Sequence, residues 1–111
     1  MEKKKNNLER GSTRVIVFKE NGEWYAVSLE LNIVEVGTTA REAMLLLLEA
    51  VSGYIEACKK ANVDSSVLNQ EPDEEYEEMW QKLQEHKKLK GKEVFFFGEH
   101  NLLDIEDTVS V

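Results

Sequence analysis

The sequence predicts an α+β fold: a three-stranded antiparallel start, a long helix packed on one sheet face, a second helix and a late fourth strand. Three observations predict it. Asn21-Gly22 separates two β-prone runs, and that dipeptide accepts positive φ at both turn positions. Ala40 to Asn62 carries apolar residues at helical spacing behind a T-x-x-E cap. EVFFF, Glu93 to Phe97, is a short β-prone run that follows the helices. The order β-β-β-α-[α]-β is then one α+β domain over residues 14–97. Residues 1–13 read as a mobile N-terminal tail, and 98–111 as a C-terminal tail that either docks or stays mobile.

The first strand is RVIVFK, rich in β-branched residues. A two-residue turn at Asn21-Gly22 sets the register: Glu20 opposite Glu23, Phe18 opposite Tyr25, Ile16 opposite Val27, Val15 opposite Ser28. One face is Ile16, Phe18, Tyr25, Val27 and Leu29, and it is assigned to the long helix. The other is Val15, Val17, Trp24 and Ala26, which is too apolar to be left wet. A reversal near Glu30 to Asn32 leads into LNIVEVG, the third strand, closed by Gly37.

Thr39 and Glu42 form the capping box of the first helix. Its core stripe is Ala43, Leu46, Leu47, Ala50, Val51, Tyr54 and Cys58, widened by Met44, Leu45 and Leu48. Pro72 and Asp73 to Glu75 start a second, acidic helix near 73–88, where the helix dipole favours negative charge. Tyr76, Met79, Trp80 and Leu83 mark its apolar face, a core or interface stripe that a small ligand could also use.

Composition narrows the function. The chain has 111 residues and a formal charge of −8, from 22 acidic and 14 basic side chains. Such a surface repels nucleic acid as a whole. Basic residues cluster at Lys3 to Lys5, Arg10 and Arg14, and again at Lys87, Lys88, Lys90 and Lys92, as a solvated tail and a helix end. The lone Cys58 excludes an intramolecular disulfide and fits a reducing cytoplasm. MLLLLEAV is too short to span a bilayer.

Little points to catalysis. Two-metal phosphoryl chemistry needs several carboxylates converging within a few ångströms, and the middle of the first strand offers Val15, Ile16, Val17 and Phe18 instead. Glu71, Asp73, Glu74 and Glu75 spread around a helix start rather than converge, and they lack the pattern of a calcium loop. His86 and His100 have no Cys or His at zinc-like spacing. No catalytic, metal-ligating or cofactor-binding residue is assigned.

The stretch FKENGEWYAVSLELNIVEVGTTAREAMLLLLEAV resembles the HicB family of antitoxins over residues 14–58. The resemblance rests on Tyr25-Ala26, Glu30-Leu31, Gly37-Thr38-Thr39 and Glu42-Ala43 in that order. It implies a partial ribonuclease-H-like fold without nuclease activity. It also implies a partner: a small basic HicA-like ribonuclease toxin, neutralised by direct binding. Many such proteins add a helix-turn-helix or ribbon-helix-helix. After Lys92 only 19 residues remain, they are acidic, and they hold no such unit, so direct DNA binding is not expected.

The surface expected to bind a partner, or a second copy in a homodimer or tetramer, comprises Val15, Val17, Trp24, Ala26, Tyr25 and Glu30. The strand near Val15 is expected to lie at a sheet edge open to pairing across a two-fold. The alternative to an antitoxin is a stand-alone oligomeric scaffold.

Overall fold

A computed structural model describes residues 5–7, 11–102 and 104–105. β1 (Ser12–Glu20), β2 (Glu23–Ser28) and β3 (Ile33–Gly37) lead into α1 (Ala40–Ala61). A 3₁₀ turn at Ser65–Leu68, α2 (Glu74–Gln84) and β4 (Glu93–Asn101) follow. The strands form one antiparallel sheet in the order β3-β2-β1-β4.

The hairpin register is the predicted one, from Val15↔Ser28 to Glu20↔Glu23. Asn21 and Gly22 have φ of 52° and 83°, the left-handed pair that matches the twist of a hairpin. β1 is not an edge, however. β4 pairs with its other side, so both of its backbone edges are occupied and no second copy can pair there.

The two helices occupy opposite faces, and the assignment is the reverse of the expected one. α1 covers Val15, Val17 and Ala26 through Ala43, Leu47, Val51, Ile55 and Cys58. α2 covers Ile16, Phe18, Val27 and Leu29 through Met79, Trp80 and Leu83, with Leu89 beside them. Side-chain size explains the choice. Gly37 lies on the Trp24 face, opposite Trp24 itself. A Cβ there would stand 2.7 Å from the Ala43 nitrogen. The missing side chain, with Ala26, Ala40 and Ala43, lets the first turn of α1 settle close on that face. The bulky Phe18 and Tyr25 face accepts the shorter α2, which reaches down with Tyr76, Met79 and Trp80.

α1 starts as the capping box predicts, since Thr39 Oγ1 accepts from the Glu42 amide at 3.0 Å. The Glu42 carboxylate returns to the Thr38 amide at 2.9 Å, one residue before the cap. The buried stripe is Ala40, Ala43, Leu47, Val51, Ser52, Ile55 and Cys58. It is rotated from the predicted one, so Leu45 and Leu46 stay exposed. α2 is capped by Asp73, whose side chain accepts from the Glu75 amide. It ends at Gln84, short of the expected 88. The His86 amide donates to Leu83 O and the Lys87 amide to Lys82 O, a closing pair that needs a left-handed residue. His86, at φ 60°, supplies it where glycine is the usual signal.

Described residues of both predicted tails pack against the rest of the fold, including Asn6 of the N-terminal segment expected to be mobile. Asn6 is buried; its Nδ2 donates to Leu68 O at 2.8 Å, and its Oδ1 accepts from the Ser12 amide. β4 runs past Phe97 to Asn101, and Leu102 and Ile105 join the cluster under α1. The rest of the two predicted tails, residues 1–4, 8–10, 103 and 106–111, lies outside the described residues. Phe95 is the extra residue of a β-bulge, because Val17 pairs with Phe96 and Phe18 with Val94.

Gly22 has open space where a Cβ would go, so substitution there acts through the backbone alone. Gly22→Val is expected to lower stability by about 1–2 kcal/mol, because a β-branched residue resists positive φ. Gly22→Asn is expected to cost clearly less, and denaturant melts of the two variants check the order.

Candidate functional site

The six residues expected to form one binding surface do not share a surface. Val15, Val17 and Ala26 are fully buried beneath α1. Trp24 is half-buried in the same cluster, with its ring edge-on to Phe95 at 6.2 Å and Lys19 Nζ 5.9 Å from its centre. Tyr25 lies on the opposite face, stacked on Phe18 at 5.3 Å. Glu30 is buried in an ion pair. The reason is the helix assignment: the face thought to be free is the one α1 covers. The Tyr76, Met79 and Trp80 stripe packs on Ile16 and Phe18, and Trp80 of the three also lines a cleft.

A buried ion cluster joins the sheet to α2. Arg14 Nε donates to Glu30 Oε2 at 2.7 Å, and the Arg14 amide donates to Glu30 Oε1 at 2.6 Å. The other two guanidinium nitrogens bind Glu77 of α2 at 2.7 and 2.8 Å. The guanidinium also lies 5.6 Å from the centre of the Trp80 ring, where cation–π attraction adds to the pairing. Burial alone would lower the Arg14 pKa. The hydrogen bonds and charges of Glu77 and Glu30 more than offset it, and the net shift is upward. Thr13 Oγ1 and Ser28 Oγ lie 2.6 Å apart beside the cluster, and Thr13 also donates to Glu30. These hydroxyls are fully buried and engaged, so they face no substrate.

An open cleft of about 660 Å³ lies beside the cluster, lined by Arg14, Trp80, Gln81, Gln84, Phe97, Gly98 and Glu99. The charge of Arg14 is committed inward, so the cleft offers amides and one carboxylate. Among the described residues no group of three or more His, Cys, Asp or Glu side chains could hold a metal ion. Nor is any described helix long and apolar enough to cross a membrane.

Exposed apolar side chains lie on β4 (Phe95, 64%, and Phe97, 36%), on α1 and on β3. Val34 and Val36 are 40% and 43% exposed on β3, an edge strand. Their partners across the ladder are Val27 and Tyr25, which places them on the α2 face. The cluster under α2 takes in Val27 and Tyr25 but stops short of both valines. Glu23 and Glu42 stand near Val36 at the end of the strand. A cleft of about 250 Å³ at the end of β3 is lined by Gly22, Glu23, Val36, Gly37, Thr38 and Glu42. The V-E-V alternation was visible in the sequence. Its exposure was not, because nothing local says how far α2 reaches.

The quoted motif residues have structural duties here. Ala26 is core, Glu30 anchors Arg14, Gly37 admits α1, and Glu42 caps it. A scan against protein-family models matches none, and searches of curated proteins and of solved structures find no match.

Removing one member of the ion cluster leaves buried charge uncompensated. Arg14→Met is expected to destabilise the fold by about 3–5 kcal/mol. The double variant R14M/E30M is expected to cost less than the two single changes summed, by about 1–3 kcal/mol of coupling, measured in a double-mutant cycle.

Proposed function

We propose that this chain is a non-catalytic protein-binding module of the HicB antitoxin kind, neutralising a small basic HicA-like ribonuclease by direct contact. The observation that carries the reading is the juxtaposition of bare valines and carboxylates along β3, in a chain of charge −8. The acidic surface steers a basic partner into encounter, and the valines add attraction that salt does not screen. The first turn of α2 extends the acidic field with Glu74 and Glu75.

The absence of catalysis belongs to the same reading. The centre of β1 is apolar on both faces, which gives converging carboxylates no place in a ribonuclease-H-like sheet. A cytoplasmic setting accords with a single, buried and unpaired Cys58. Direct DNA binding has no support from the acidic α2 or from the docked segment at Leu102 and Ile105.

The alternative, a stand-alone oligomeric scaffold, is favoured by one observation. Leu45 is 52% exposed on the outer side of α1, with Leu46 beside it. That side of the helix could seat a second copy.

Affinity purification from the native host separates the two. The tagged chain is expected to carry along one small basic protein and, at equimolar ratio, to stop that protein's cleavage of RNA. The complex is expected to weaken by about tenfold between low and high salt, as exposed charge attraction is screened. A chain that comes through alone, with the light-scattering mass of a dimer or tetramer, puts the scaffold in its place.

A further inference from the structure

We infer that β3 takes its partner as a fifth strand, an extended segment alternating apolar and basic residues. The inference rests on the protein-binding reading above and names the mode of capture.

The edge itself comes first. β3 pairs with β2 on one side only. The start of its free side is closed, because Gln70 Nε2 donates to Leu31 O and Asn32 Nδ2 donates to Glu71 O. From Ile33 to Val36 no such cover exists among the described residues. These four residues, about 13 Å of strand, remain open to ladder hydrogen bonds, while Gly37 is buried against α1.

The other edge is less suited. β4 carries the Phe95 bulge near its start, and a bulge breaks the regular ladder and twists the edge away.

The two sides of β3 then ask for different residues. On the α2 side Val34 and Val36 are bare and call for apolar neighbours. On the α1 side Glu35 is half-buried, and Glu42 stands at the start of α1 beside Gly37. Neither carboxylate has an ion-pair partner among the described residues. Successive residues of an added strand point to opposite sides. Apolar and cationic residues in alternation therefore meet valines on one side and carboxylates on the other.

Charge decides against a second copy at this edge. Antiparallel pairing of β3 with itself brings two Glu35 side chains opposite or diagonal to one another, where like charges destabilise a sheet. Two chains of −8 also repel at long range. A basic segment has neither cost.

The test uses a short capped peptide of alternating valine and lysine, titrated into the isotope-labelled full chain. Amide shifts are expected to concentrate at residues 33–36 and at Glu42. Val36→Lys places its change on an exposed side chain, and it is expected to weaken the peptide by about tenfold while leaving the remaining amide spectrum in place. A peptide of the same composition with its lysines and valines in separate blocks is expected to bind at least about tenfold more weakly, since its sides cannot match the pleat. Shifts centred on β4 or α2, equal binding of the block peptide, or unchanged binding by Val36→Lys would each overturn the inference. The ribonuclease assay keeps the two claims apart. If Val36→Lys still neutralises the partner, strand addition fails and the module stands. If the wild-type chain does not neutralise it, the module itself fails.

Discussion

Everything in this fold depends on β1 being buried on both sides. Val15 and Val17 point to one helix, Ile16 and Phe18 to the other, and none is more than 2% exposed. Four such side chains contribute about 1.5–3 kcal/mol each when fully withdrawn from water. A strand of this kind has to sit inside a sheet, with β2 and β4 on its edges and a helix on each face. The position of every other element follows from meeting that requirement. It also removes the middle of the strand from any part in chemistry.

The ends of β1 hold the two faces together. Arg14 sits at the start of the strand on the α2 face, and its guanidinium ties the loop after β2, through Glu30, to α2, through Glu77. A guanidinium suits this position because its planar fork serves two carboxylates at once. The N-terminal segment is drawn into the same region. Asn6 exchanges hydrogen bonds with Asn69, and the Gln70 amide donates to Glu30 O. The loop from α1 to α2 is thus stitched to both the start of β1 and the end of β2. The link between the two helices is fixed by polar contacts, while the faces they cover are fixed by apolar ones.

The surface left over has a simple logic. α2 has only 11 residues and spends its apolar face on β1 and β2, so the outer strand β3 keeps two valines bare on that side. Glu35 lies on that strand, and Glu23 and Glu42 stand at its end. The −8 charge and the open strand edge are the two features that the proposed binding role draws on. β4, the competing edge, is blunted by its bulge at Phe95.

The sequence by itself determined the local structure: the Asn21-Gly22 hairpin and its register, the Thr39 cap, the apolar stripe of α2 and the α+β order of elements. Each depends on residues within a few positions of one another, and turn chemistry and side-chain period report on that range. Only the tertiary structure decided which helix takes which face, because two apolar faces of similar composition satisfy the same pattern. The absent Cβ of Gly37 settled it in favour of the Trp24 side, and that one choice moved Val15, Val17, Trp24 and Ala26 from surface to interior. The Arg14 cluster was equally out of reach, since its members are 16 and 63 residues apart. So was the exposure of Val34 and Val36, which is set by where α2 happens to end. Long-range geometry of this kind leaves no periodic trace in the chain.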